Sequence, residues 1–545
     1  MAAAARRGGL LSGNKTFMIK GFRQIASFTV LSRILGLLRE MTFASFFGAS
    51  GVMDIWVIGF KIPNLARRLF GEGAASSSFI PVYSQKLQED PKQAQELANT
   101  AVTVITVLLT AIVIVGEAFI WIYYGFFATL EGTKQMYALS GIMLPYMILV
   151  CVVAILGGVL NTHRHFAAPA AAPLILNIFL LGALWYTEKI LHTPGIRQVY
   201  YISIAVLLAG LAQLAIQIPA LKSVGVTIGA GWQVHSDAFK KIFLLMAPMI
   251  LGLAATQINT LVDDITAKCL SGSAEKGEFF YLFGTQIKYP LWEGTVARLF
   301  YAQRLYQFPL GVLGISLAVA IFPVMSAQVA KKDFSGLSKS ISSGLRTSIF
   351  IALPATAGLI LIGKPLISAI YQRGLFTAND TLITTKILSC FSLGLCGYFA
   401  QQLITRAFYS FQDSKMPAIS AAIAVGVNLV LNLTLVWFIG AAGLALSTAL
   451  CSYLQVFFLL IVLQKKLGSL LLDGLPAVAL KTIAATIAMT LTGLLALYLL
   501  RNLPHRSRFD IIRVIVVVIS SASVYILAAK VLKIDELKLL TAKNK

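Results

Sequence analysis

Residues 98–125 read ANTAVTVITVLLTAIVIVGEAFIWIYYG, with Glu117 the one charged side chain in the run. A helix needs about 20 mostly apolar residues to cross the hydrocarbon core of a bilayer, so this stretch reads as a membrane span. Runs of the same character recur on both sides of it. They cover 22–46, 52–84, 136–162, 168–188, 197–221, 239–270, 296–328, 341–363, 383–411, 415–438, 441–464, 477–500 and 509–532. The expectation is an all-α polytopic membrane protein with about fourteen transmembrane helices. The composition agrees: of 545 residues, 58% are hydrophobic and 12% charged, against about 45–50% and 25% in soluble domains. Mean hydropathy is +0.81. An ordinary soluble enzyme, a disordered chain and a disulfide scaffold are all excluded. Cys151, Cys269, Cys390, Cys396 and Cys451 fall in or beside apolar runs with no CxxC pair, as expected of buried thiols.

The spans divide into an N-lobe at 1–236 (spans one to six), a C-lobe at 237–469 (spans seven to twelve) and a two-span extension at 470–545. A short internal echo joins the lobes. Ala66-Arg67-Arg68-Leu69-Phe70 in span two is similar to Ala302-Gln303-Arg304-Leu305-Tyr306 in span eight. Span two is interrupted, with a break expected at Pro63 and at Gly71-Glu72-Gly73. Such breaks at membrane depth need protein or water around them and often mark a transporter's binding site.

The formal net charge is +23, but basic residues sit between and inside apolar spans, so nucleic acid is not expected as a partner. Cytoplasmic loops of membrane proteins favour Lys and Arg. With the N terminus inside, the inner connections hold Lys86, Lys92, Arg164, Lys222, Lys240, Lys241, Lys331, Lys332, Lys339, Lys415, Lys465 and Lys466. The outer ones hold fewer cations, and only 501–508, with Arg501, Arg506 and Arg508, goes against the pattern. Both termini are therefore expected in the cytoplasm. The first apolar run has no small-residue cleavage site and reads as a retained span.

Charge inside the spans is the sharpest signal. Arg33, Arg39 and Glu40 lie in span one; Asp54, Lys61, Arg67 and Arg68 in span two; Arg298 and Arg304 in or near span eight. Each costs at least about 2.5 kcal/mol at mid-bilayer unless it is paired or wet. Arg33 and Glu40 share a helix face at a spacing of seven, and Asp54, Lys61 and Arg68 repeat that step. Cations outnumber acids, so a cavity for an anion, a phosphate or pyrophosphate, is expected, because guanidinium forks bind phosphate bidentately and stay charged. A second set is rich in oxygen: Asp263 and Asp264 in span seven, Asn428 and Asn432 at i,i+4 in span eleven, and Thr448 in span twelve. It suits either a monovalent cation or proton, or interhelical hydrogen bonds.

Enzyme signatures fail. Gly358–Lys364 imitates a phosphate-binding loop, but Pro365 stands where Ser or Thr is needed. There is no GxSxG elbow and no HExxH, and His163-Arg164-His165 reads as a solvated turn. Neither catalytic residues, a metal site nor an organic cofactor is expected. Energy would come from a Na+ or H+ gradient, the membrane potential or the substrate gradient.

Ser32-Arg33-Ile34-Leu35-Gly36-Leu37-Leu38-Arg39-Glu40 resembles the first-helix signature of the MurJ (MviN) lipid II flippase family of the multidrug/oligosaccharidyl-lipid/polysaccharide exporter superfamily. Phe47-Gly48-Ala49, Asp54 and the stretch from Phe60 to Ala74 resemble its second-helix signature. Leu160-Asn161-Thr162, Arg304-Leu305 with Phe308-Pro309, and Phe408-Tyr409-Ser410 with Asp413 extend the likeness over about 22–465. The resemblance implies two six-helix lobes and two extra helices bordering a lipid-tail groove. It implies that Arg33, Arg39, Glu40, Asp54, Lys61, Arg67, Arg68 and Arg304 face a cavity for the pyrophosphate of lipid II. It implies that Asp263, Asn428, Asn432 and Thr448 form a sodium site. The implied setting is the bacterial cytoplasmic (inner) membrane, with membrane lipids and cell-wall synthesis or division proteins as partners. Gln303 and Gln307 stand where acidic residues commonly flank the eighth-helix arginine, and Asn432 replaces a carboxylate. The connection at 271–294 is long and aromatic, with Phe279, Phe280, Tyr281, Phe283, Tyr289 and Trp292, as suits a membrane–water interface. A flippase or exporter for another polyprenyl-linked saccharide, or a membrane scaffold for cell-wall synthesis, stand as alternatives.

Overall fold

The computed structural model describes residues 27–69, 75–468, 472–504 and 507–541. The Gly71-Glu72-Gly73 break, the N-terminal arm before residue 27 and Arg506 lie outside the described residues. The chain forms two compact units. The first comprises the chain up to Phe46 together with Ile55–Ala254; the second comprises Phe47–Asp54 and the chain from Ala255. The division falls inside a helix rather than at 236/237.

In chain order the helices of the first half are α1 (27–47), α2 (Gly51–Ala66), α3 (Ala75–Glu89), α4 (Pro91–Phe126), α5 (Glu131–Met143), α6 (Tyr146–Thr162), α7 (Ala167–Lys189), α8 (Ile196–Ser223) and α9 (Asp237–Cys269). Local chemistry sets their ends. Asp90 caps α4 by accepting from the Lys92 amide at 2.9 Å, with Pro91 at the first helical position, where its missing N–H costs nothing. Pro63 does not break α2. The helix runs on to Ala66 and then widens into a π turn at 67–69 that carries Arg67 and Arg68. Turns of this kind recur at functional sites. The most enclosed helix is α6, where Tyr146, Val159 and Leu160 are fully buried, and α7 and α8 add Leu180, Leu184, Ile202 and Val206 to the same core.

The second unit continues with α10 (Thr295–Pro309), a π turn at Leu310–Gly314, α11 (Ile315–Ala330), α12 (Phe334–Tyr371), α13 (Ala378–Leu393), α14 (Leu395–Ser410), α15 (Lys415–Ile439), α16 (Ala441–Leu467), α17 (Leu475–Leu499), α18 (Ser507–Val531) and α19 (Glu536–Thr541). Its main core gathers Met325, Leu337, Ile341, Leu403, Phe408 and Leu459. The last two long helices are part of this unit: Phe350 of α12 packs with Ala485, Met489 and Tyr525, and the Tyr525 hydroxyl donates to the Phe350 carbonyl at 2.5 Å.

The aromatic connection between α9 and α10 is a small β structure. Phe279–Leu282 pairs antiparallel with Thr285–Lys288, and Ser271–Gly272 pairs in parallel with Leu291–Trp292. The hairpin turns at Phe283 and Gly284, both at positive φ, 48° and 80°, and the Phe283 ring is 99% exposed.

Ten helices among the described residues are long and apolar enough to cross a membrane, or eleven if the bent pair α13–α14 (42° apart) is one span. Their outward faces invert the soluble pattern: Ile114, Val115 and Phe119 of α4 and Leu480, Leu491 and Leu499 of α17 are exposed. Aqueous solvent penalises such surface at roughly 25 cal/mol per Å², whereas lipid does not.

Candidate functional site

In the first unit, α1, α2, α6, α7 and α8 surround a cavity of about 340 Å³ whose lining includes Gly36, Arg39, Arg67, Tyr146, Asn161, Asn177, Gln213 and Gln217. Arg39 is held from two sides. It donates through Nη1 to Asn177 Oδ1 at 2.9 Å and through Nη2 to Glu40 Oε1 at 2.5 Å. The Asn177 amide in turn donates to the Ser32 carbonyl at 3.1 Å. Arg67 donates from Nε to Asn64 at 2.8 Å. Amides complete the wall. Gln213 donates to the Ala172 carbonyl at 2.7 Å and accepts from the Tyr146 hydroxyl at 3.4 Å, while Gln217 donates to the Val153 carbonyl at 3.2 Å. Two fixed guanidiniums thus share a chamber of mixed polar and apolar lining built from membrane-spanning helices.

The other arginines and acids of span one and span two divide around this chamber. Glu40 is buried against Arg39. Lys61 and Arg68 are half-buried and Arg33 is exposed on α1; none of the three lines the chamber. Asp54 does not line this chamber. It belongs to the second unit and is wholly buried. There its Oδ2 accepts from the Gly294 amide at 2.7 Å and its Oδ1 from the Ala297 amide at 2.8 Å. The carboxylate thereby caps the start of α10, where amides lack intrahelical partners and the helix dipole favours a negative charge. The backbone is shaped for this contact: Gly294 sits at φ 85°, and a Cβ there would collide with the Ala49 carbonyl. Likewise Gly48, at φ 58°, admits the Leu375 backbone and accepts from the Tyr301 hydroxyl at 3.3 Å.

Arg298 is also no cavity cation. Its Nε and Nη2 both donate to Asp380 Oδ1, at 3.0 and 2.8 Å, and Asp380 closes the Thr377 capping box of α13. Arg304, half-buried on α10, lies 4.6 Å above the Phe300 ring, with Gln303 buried beside it.

The oxygen-rich set does converge. Asp263 Oδ1 accepts from Asn428 Nδ2 at 2.6 Å and from Asn432 Nδ2 at 2.7 Å, and its Oδ2 accepts from the Thr448 hydroxyl at 2.9 Å. Asp263, Asn428 and Asn432 are buried, and the Ser447 hydroxyl donates to Asn432 Oδ1. Asp264 is buried next to it but is not among these contacts. Away from both sites, His163 is not a solvated turn residue. It is half-buried and pairs through Nε2 with the Tyr83 hydroxyl at 2.9 Å, and burial lowers its pKa.

Asn177, Gln213 and Gln217 are absent from the residues singled out by sequence. The signal existed: two glutamines at i,i+4 in an otherwise apolar span, the same pattern that picked out Asn428 and Asn432.

The family described as "Lipid II flippase MurJ" matches residues 43–516. The chain belongs to this family. A curated relative from Vibrio cholerae, named "Probable lipid II flippase MurJ", is 30% identical over 448 residues, 80% of this chain and 81% of its own length. "Lipid II flippase MurJ" of Burkholderia cenocepacia is 29% identical over 462 residues, covering 82% and 84%. Among solved structures, "Lipid II flippase MurJ, inward closed conformation" superposes with a TM-score of 0.71 at 24% identity, over 94% of this chain and 99% of that one. A multidrug resistance MATE transporter of the MOP superfamily, in an inward-facing conformation, gives 0.59 at 12% identity over 80% and 94%. Membership of the MurJ family makes this chain a transporter rather than an enzyme, and a bacterial inner-membrane protein.

Proposed function

We propose that this chain moves lipid II from the inner to the outer leaflet of the cytoplasmic membrane by alternating access. The observation that carries the reading is the chamber in which Arg39 and Arg67 face the same space, in a chain of the MurJ family. Charge-assisted, bidentate hydrogen bonds from guanidinium to phosphate are the strong class, and a pyrophosphate offers two groups for two arginines. Arg33, Lys61 and Arg68 add positive field, Glu40 orients Arg39, and Arg304 is a further cation proposed for the pyrophosphate. The pyrophosphate occupies the chamber while the prenyl chain stays in lipid.

The finer architecture belongs to the same reading. Fourteen spans result when the ten apolar helices and the α13–α14 pair are joined by α1, α2 with α3, and α9. They form an N-lobe to residue 236, a C-lobe to 469, and two helices from 470 that border a lipid-tail groove, with both termini in the cytoplasm. Coupling to a monovalent cation would run through Asp263, Asn428, Asn432 and Thr448. Asparagine carries both a carbonyl and an amide, so rotation of the two amides would turn oxygens toward an ion beside the carboxylate. No organic cofactor is needed, and cell-wall synthesis proteins are the expected neighbours.

The test is accessibility of the lipid II headgroup at the outer face of proteoliposomes. Arg39→Ala and Arg67→Ala should each lower protein-dependent translocation by ten- to a hundredfold, at about 1.5–3 kcal/mol per charged hydrogen bond lost. Undiminished transport in both folded variants would end the assignment. Transport of another polyprenyl-linked saccharide instead of lipid II would keep the mechanism and change the cargo. Loss of a Na+ or H+ dependence in Asp263→Asn would support the coupling site, and an unchanged ion dependence would remove it.

A further inference from the structure

A second cavity, about 440 Å³, lies where the end of α12 and the end of α17 meet the beginnings of α13 and α18. Lys364, Arg501 and Arg513 line it, and Asp510 is the one acid among its lining residues. That acid is already committed. Asp510 Oδ1 accepts from Arg513 Nη1 at 2.5 Å and its Oδ2 from the Ser368 hydroxyl at 2.6 Å. Asp510 and Arg513 are both almost fully buried, and Arg513 also donates to the Leu500 and Leu503 carbonyls. This pair is therefore a neutral structural clamp that pins the loop before α18. The remaining charge in the cavity is that of Lys364 and Arg501. Both are exposed, and Arg501 is steered by stacking 4.2 Å above the Tyr498 ring.

A separate apolar space lies beside it. The next space along the same two helices, about 320 Å³, is walled by Leu353, Ala357 and Ile360 of α12 and by Ile483, Ile487 and Leu491 of α17. On α12 the lining residues 353, 357, 360, 364 and 368 step by three or four, so one helix face serves both spaces. Two cations at one end of a membrane-embedded apolar groove match an amphipathic anion. The same feature explains the anomaly in loop charge. If the N terminus is cytoplasmic, as the proposed topology has it, Arg501 sits on the outer side against the usual bias, and a resident anionic ligand gives that cation a reason to be there.

We propose that Lys364 and Arg501 bind the phosphate of an anionic membrane lipid, with its acyl chain along the α12–α17 groove, at a site separate from the Arg39–Arg67 chamber. The experiment uses the full-length protein in detergent and native mass spectrometry with phosphatidylglycerol, phosphatidylcholine or inorganic phosphate. Wild type should retain phosphatidylglycerol over phosphatidylcholine. Lys364→Gln with Arg501→Gln should lose that preference, roughly tenfold in affinity for each cation removed, while Lys364→Arg with Arg501→Lys keeps it. Equal retention of phosphatidylglycerol by wild type and the glutamine variant would overturn the site. Binding of inorganic phosphate as tight as that of the lipid, lost in the same variant, would keep the phosphate contacts and overturn the lipid as their source. If the glutamine variant does not fold, loss of the preference in the folded conservative pair would count against the proposal and its retention for it. Neither residue lines the chamber, so lipid II transport tests the main reading independently.

Discussion

Replacement of Asp54 by Ala should unfold the start of α10. The carboxylate serves two buried amides at 2.7 and 2.8 Å. Leaving a buried donor unsatisfied costs about 1–3 kcal/mol, so two such donors give roughly 2–6 kcal/mol. The lost attraction between carboxylate and helix dipole adds up to about 2 kcal/mol in a buried setting. Relief from burying a charge works in the opposite direction by a few kcal/mol. The net expectation is a loss of about 3 kcal/mol. Asp54→Asn keeps one accepting oxygen and should lose about half as much. Denaturant unfolding of the detergent-solubilised protein reads the stability. Hydrogen exchange over a peptide spanning 293–300 reads the location, and should speed up at Gly294 and Ala297 first. A variant with unchanged stability and exchange but no lipid II transport would refute this reasoning and place Asp54 on the substrate.

Removing Arg298 should strand the buried Asp380 carboxylate that it meets at 2.8 Å. Arg298→Ala is expected to cost about 3–5 kcal/mol, and the double variant with Asp380→Ala should recover part of it in the same unfolding assay. Asn177→Ala frees Arg39 from its 2.9 Å partner; transport should drop about tenfold, one charged hydrogen bond's worth, with little change in unfolding temperature. Phe283→Gly should stabilise the hairpin by about 0.5–1 kcal/mol, since glycine relieves a left-handed backbone and the ring has no packing to lose. A destabilised hairpin by hydrogen exchange would contradict that.

Ten of the spans, or eleven with the bent α13–α14 pair, were legible because hydropathy over 20 residues is a bulk property that survives any detail of packing. Two places where the helices fall short of a simple apolar test are informative: α1 carries Arg33, Arg39 and Glu40, and α2 ends after 16 residues. Function has placed charge or a break there, and the same features drew attention to the candidate sites. The Asp263 cluster was legible for a similar reason, since carboxylate and amides stand out in apolar helices. Ser447, next to Thr448, was missed because hydroxyls are common in such helices. The partners of Asp54 could not be read from the sequence. Its partners are backbone amides 240 and 243 residues away, and a backbone amide has no signature in sequence. Arg298 misled for the related reason that Asp380 lies 82 residues on. The hairpin at 279–288 was visible as aromatic content, but its turn required Phe283 to accept a conformation bulky residues avoid.

The Phe47–Asp54 segment has a topological consequence. Because eight residues from the first part of the chain are built into the second unit, the backbone passes between the units at 46/47, 54/55 and 254/255 rather than once. Although it lies early in the chain, the capped segment Gly48–Asp54 shares the fate of the second unit, through its contacts with Gly294, Ala297 and Tyr301. A substitution in this short segment should therefore register in the unfolding of the second unit rather than of the helices that flank it in sequence.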